Sequence, residues 1–134
     1  MNKVSYYLVV VVGVLTFLQF IPHAFMGFQA VLEHIQKGEI NGEAVQGMQM
    51  IWIYSSIMML LSSIWMFFLA KPILEGKHIA RVQVLYISIG LIAFGLGCSY
   101  IAQQFLNPMI FFTLEGVLLL LSITLFYKKE KNEQ

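Results

Sequence analysis

Long apolar runs with almost no charge inside them constrain this chain more than any other feature. Four stretches stand out, from about Val4 to Phe25, Met48 to Ala70, Ile79 to Ala102 and Phe105 to Tyr127. Each reaches the roughly 20 mainly apolar residues that a helix needs to cross a bilayer core. A membrane β-strand needs only about 10 residues, but in strict alternation. The runs Val9-Val10-Val11-Val12 and Val117-Leu118-Leu119-Leu120-Leu121 do not alternate. They are apolar on nearly every side, as lipid-embedded helices are. The expected fold class is all-α: an integral membrane four-helix transmembrane bundle, one domain over 1–134. Charged residues make up only 11% of the chain, against about 25% in soluble domains. A net charge of +1 offers no polyanion-binding face, so nucleic acid is not an expected partner. The single cysteine, Cys98, excludes an internal disulfide framework and a cysteine-based zinc site.

The connections suit this layout. Lys71-Pro72 is expected to end the second helix, Gly76-Lys77 to form a short turn, and Asn107-Pro108 to turn into the fourth helix. Gly38 to Gly47 is the clearly polar loop. Before it, Phe28 to Lys37 reads as a short amphipathic extracellular or periplasmic segment. Phe28, Val31, Leu32 and Ile35 share a face, and Glu33 and Lys37 form an i,i+4 pair. The alternative is a plain helical continuation of the first span past Pro22. The first apolar run exceeds a signal-peptide core and no A-x-A site follows it, so it is expected to be retained. No cysteine near either end offers a lipidation site.

Basic residues set orientation. With four crossings, Lys3, Lys71, Lys77, Arg81, Lys128, Lys129 and Lys131 share one side and only Lys37 lies on the other. The expected location is the bacterial cytoplasmic (inner) membrane, multi-pass, with both termini cytoplasmic and Glu33, Glu39 and Glu43 outside. The lysines after Tyr127 read as a stop-transfer anchor, with contact to anionic lipid as the alternative.

Glu115 is the one acidic side chain inside an expected span. At 1.5 Å per residue it lies roughly 10 Å below the outer boundary, where a charge is expensive and normally faces a bundle interior or a wet cavity. Gln19 and His23 occupy the outer part of the first span and Tyr54 the same level of the second, with Gln49, Ser55 and Ser56 nearby. Tyr100 and Gln103, beside Ser99 and Gln104, close the third. The expected ligand-binding set is Glu115, His23, Gln19, Tyr54, Tyr100 and Gln103. It forms an outward-opening polar pocket for a quinone, lipid or amine ligand. The competing interpretation is a hydrogen-bonded network that fastens helices, with Glu115 protonated. His23 could be a switch or ligand, or simply an interfacial helix end. No metal-binding motif occurs. The methionines Met48, Met50, Met58, Met59 and Met66 fit core filling better than copper. Trp52 and Trp65 fit an aromatic belt.

The third span carries Gly90, Ala93, Gly95, Gly97, Cys98 and Ser99. The pairs Ala93/Gly97 and Gly95/Ser99 have the small-xxx-small spacing of closely packed helices, inside the bundle or at a homodimer face.

A short basic loop between spans two and three, a glycine-rich third span, and Phe112-Thr113-Leu114-Glu115-Gly116 followed by leucines resemble the small bacterial DoxX-like four-helix proteins. The resemblance implies an integral four-helix bundle and, for some relatives, quinone or thiol redox chemistry. This chain has no C-x-x-C pair, and its Phe28–Gly47 segment departs from the pattern. Small multidrug exporters also use an intramembrane glutamate, but in their first helix.

Three function classes follow. The first is a lipophilic-ligand binding protein with its pocket in the outer leaflet. The second is a proton- or cation-coupled small transporter working as a homodimer. The third is an accessory subunit of a larger membrane complex. No nucleophile–base pair or nucleotide motif supports an enzyme.

Overall fold

A computed structural model describes residues 2–38, 42–104 and 107–126. Among them the chain is all helical, without a strand. In order it forms α1 (Lys3–Pro22), a π-helical turn (His23–Gly27), α2 (Phe28–Gln36), α3 (Gly42–Leu74), α4 (His78–Ile101) and α5 (Ile110–Thr124). Three segments are long and apolar enough to cross a membrane: Lys3–Gly27, Glu43–Leu74 and His78–Ile101.

The fourth expected span is shorter than its apolar run. α5 has 15 residues, about 22 Å at 1.5 Å per residue. A turn at 107–109 delays its start, and the helix stops before Leu125. The expected limits Phe105 and Tyr127 lie outside the described residues. So do Glu39, Lys128, Lys129, Lys131 and the side chains of Val31 and His34.

Lys71-Pro72 does not end the second span. α3 runs on to Leu74 with Pro72 inside its last turn, at the loss of one i→i−4 backbone bond. The helix closes at Gly76, whose φ of 79° suits glycine. Gly76 N donates to Ile73 O at 3.0 Å and Lys77 N to Pro72 O at 2.9 Å, the paired bonds of a Schellman end. Pro22 does not end α1 outright either. The backbone stays right-handed helical through Pro22, Gly27 and Phe28, with one π-helical turn between α1 and α2. The Phe28–Lys37 segment therefore continues the first helix.

The chain forms two compact units, Met1–Val12 with Trp65–Gln134, and Gly13–Ile64. In the first, four helical segments share one core. α1 supplies Val9 and Val12, and α3 supplies Met66, Leu69, Ala70 and Ile73. α4 adds Ala80 and Val84, and α5 adds Leu119 and Ile123. Buried serines bridge the segments through backbone carbonyls. Ser5 Oγ donates to Ser122 O at 2.6 Å and Ser88 Oγ to Gly116 O at 2.7 Å. Gly116 permits this approach: a Cβ there would lie 2.7 Å from both Ser88 O and Ile92 Cγ1. A Cβ on Gly95 would collide with Thr113 Oγ1, whereas Gly90 and Gly97 face open space. In the second unit, Ser63 Oγ donates to Gly13 O at 2.8 Å.

Ser5, Ser63, Ser88 and Ser122 are fully buried, while Phe68, Tyr86 and Ile101 are exposed. Large exposed apolar side chains on helices long and apolar enough to cross a membrane suit a lipid environment.

Candidate functional site

The candidate residues fall into separate groups. In the first unit, α4 ends in the sequence Ser99-Tyr100-Ile101-Ala102-Gln103-Gln104. Its last turn closes through Ala102 N to Cys98 O at 2.9 Å and Gln103 N to Tyr100 O at 3.2 Å. Gln103 stands where a helix usually places glycine. Its φ of 51° is left-handed, a conformation costing an L-residue roughly 1–2 kcal/mol.

Asn107 holds the following turn. Its Nδ2 donates to Ser99 Oγ at 3.1 Å and to Gln104 O at 2.6 Å. Its Oδ1 accepts from Met109 N at 2.8 Å. Ser99 Oγ in turn donates to Gly95 O at 2.8 Å. Beside this braced end lies an open pocket of about 590 Å³, lined by Leu96, Ser99, Tyr100, Ile101, Gln103 and Gln104. Two apolar side chains and four polar or phenolic ones make it amphiphilic. Tyr100 is 85% exposed, so its ring and hydroxyl are accessible.

Glu115 does not line that pocket. Its neighbour Gly116 packs against Ser88 and Ile92, which places Glu115 beside the middle of α4. From Ile92 to Tyr100 the helix rises about 12 Å. Glu115 is 2% exposed. It is a buried carboxyl two turns below the pocket rather than its floor.

His23 forms the second group, within the unit Gly13–Ile64. It opens the π-helical turn, a distortion that occurs often at functional sites. Its ring stacks on Trp52 with centroids 4.4 Å apart and planes 11° from parallel. Its carbonyl accepts from Trp52 Nε1 at 2.7 Å, and its Nδ1 lies 3.0 Å from Ser56 Oγ. Ser56 Oγ also donates to Trp52 O at 2.8 Å. A serine hydroxyl has one proton, so both contacts coexist when His23 Nδ1 donates and Nε2 keeps its lone pair. Gly27 makes room for the indole, since a Cβ there would collide with Trp52 Cζ2.

Gln19 is half-buried one turn before His23. Tyr54 is 65% exposed and takes no part in the His23 hydrogen bonds. The reason is helical phase: Trp52 and Ser56 are i,i+4 on one face, and residue 54 lies nearly opposite. Depth along the span named Ser56 among its neighbours, but Trp52 and Gly27 are participants it did not single out. The i,i+4 spacing of Trp52 and Ser56 was the available signal. Among the described residues, no group of three or more His, Cys, Asp or Glu could hold a metal ion.

No protein-family model matches the chain, and neither a curated protein nor a solved structure matches it.

Proposed function

We propose that this chain is a small multi-pass protein of the bacterial cytoplasmic membrane that binds the polar head of a lipophilic ligand at its outward end. The ligand is of quinone, lipid or amine type. The membrane-embedded form is a four-helix transmembrane bundle with both termini cytoplasmic. Its short fourth helix is accommodated by local thinning of the bilayer. The amphiphilic pocket at the end of α4 carries this reading. Tyr100, Gln103 and Ser99 offer hydrogen bonds to a head group, and Leu96 and Ile101 offer contact to its tail. The left-handed Gln103 adds support, because non-glycine residues in such conformations gather at ligand-binding sites. The DoxX-like resemblance in layout points to the same quinone-type chemistry.

Glu115→Gln and a Tyr100→Ala/Gln103→Ala pair test this proposal in purified protein. Probes are a short-chain benzoquinone, dodecylammonium and phosphatidylethanolamine. Binding of one probe that is lost in the pair, with unchanged unfolding, supports it. Loss in Glu115→Gln as well ties the buried carboxyl to the ligand. A lower melting temperature in Glu115→Gln with full binding assigns that residue to the fold.

A homodimer is the second reading, favoured by the open space over Gly90 and Gly97. With exposed Ala93 they form a smooth face on α4. Closely approaching helices use such faces. Cross-linking in membranes from a cysteine at position 93, with Cys98 replaced by Ala, tests it.

A further inference from the structure

A second cavity, of about 240 Å³, lies at the opposite end of α4 from the proposed pocket. Its lining is His78, Arg81, Val82, Leu85, Ile123 and Thr124. The chemistry is graded along the helix. His78 and Arg81, both exposed, occupy the first turn. Val82 and Leu85 follow one turn on, and Ile123 closes the wall from α5. The N-cap of α4 is Lys77, with no side-chain hydrogen bond to the first turn. Lysine has no acceptor to offer there. A permanent cation, an imidazole and the positive end of a 24-residue helix therefore converge on one rim of an otherwise apolar cleft.

We infer that this cleft is a binding site for an anionic phospholipid. The head-group phosphate is held by Arg81 and His78 at the first turn of α4, and an acyl chain lies along Val82, Leu85 and Ile123. Charge complementarity selects an anionic over a zwitterionic head group. The apolar wall selects a lipid over a free phosphate. Basic pockets on the cytoplasmic side of membrane helices bind lipid head groups in this manner. The site is distinct from the α4 C-terminal pocket and shares no residue with it. It rests on the membrane reading but not on the ligand proposed for the other end.

The test uses the full chain in detergent. Phosphatidylglycerol, phosphatidylcholine and the soluble sn-glycerol 3-phosphate are titrated against wild type, Arg81→Gln, Arg81→Lys and His78→Gln. Lipid adducts are counted by native mass spectrometry. Wild type is expected to prefer phosphatidylglycerol. Arg81→Gln is expected to weaken that lipid about fivefold, the effect of removing one basic residue near a membrane surface, and to leave phosphatidylcholine unchanged. Arg81→Lys is expected to retain the preference, which separates loss of charge from loss of fold. Equal binding of the two lipids, or a preference untouched by both Arg81→Gln and His78→Gln, overturns the inference. So does displacement of phosphatidylglycerol by an equal concentration of glycerol phosphate. Release of the chain from membranes by alkaline carbonate would instead sink the membrane reading, a result distinguishable from failure of the lipid preference.

Discussion

Gln103→Gly is expected to move stability and ligand binding in opposite directions. The wild-type residue holds φ at 51°, where glycine meets no Cβ clash, so the substitution removes a penalty of roughly 1–2 kcal/mol. The greater freedom of glycine in the unfolded chain returns up to about 1 kcal/mol of that. The net gain is therefore between about 0 and 1.5 kcal/mol, at most a rise of several degrees in Tm. The hydrogen bond from residue 103 N to Tyr100 O at 3.2 Å is a backbone bond and survives. The pocket loses its Gln103 amide. One neutral hydrogen bond contributes about 0.5–1.5 kcal/mol, so the affinity for a head-group probe should fall roughly 2- to 10-fold. Gln103→Asn is the control, since Asn tolerates the left-handed region and keeps an amide. Unfolding can be followed by the fluorescence of Trp52 and Trp65, and binding by titration with the probe panel. If Gln103→Gly lowers Tm, the backbone strain is not as described. If it raises Tm but leaves every probe affinity unchanged, the amide does not contact the ligand.

Other substitutions probe the framework. Gly116→Ala should destabilise by about 1–3 kcal/mol, because its Cβ would meet backbone atoms of α4 at 2.7–2.9 Å. Gly90→Ala, over open space, should be neutral or slightly stabilising in the monomer; unfolding in detergent compares the two, and equal effects would contradict the packing. Asn107→Ala removes three hydrogen bonds around the α4–α5 turn; it should cost about 1–3 kcal/mol and weaken probe binding. Trp52→Phe keeps a ring beside His23 but deletes the bond to its carbonyl. It should cost about 0.6–1.7 kcal/mol, and a loss below that range would show that the indole is only an interfacial anchor. A reporter fused after Gln134 should be active in the cytoplasm alone, as the distribution of basic residues requires for four crossings.

The helical class and the approximate spans were legible because uninterrupted apolar runs leave the backbone few other ways to satisfy its hydrogen bonds in lipid. The ends were less so. Pro72 was a plausible stop, yet the helix passes it and closes at Gly76, where glycine supplies the left-handed residue of the Schellman end. The 22 Å helix after Pro108, about 8 Å short of a typical core, could not be foreseen from hydropathy, which counts turn residues as readily as helical ones. Pro22 marks where the first helix is distorted but does not foretell a π-helical turn, and the partners Trp52 and Ser56 come from another helix. Depth along the span placed Tyr54 at the right level, but helical phase turned it away. Small-residue spacing in α4 suggested close packing without saying which face. Gly95 meets α5, and Gly90 and Gly97 do not. At the end of α4, depth along the span did bring Ser99, Tyr100, Gln103 and Gln104 to one level, and all four line the pocket there.

The proposed function requires a lipophilic ligand at the end of α4. Native mass spectrometry of protein extracted gently from its membranes tests this most directly, comparing wild type with the Tyr100→Ala/Gln103→Ala pair. A single lipophilic molecule retained by wild type and absent from the folded double variant is the expected result. Wild type carrying no such molecule, or carrying one that the double variant keeps equally well, would contradict the account.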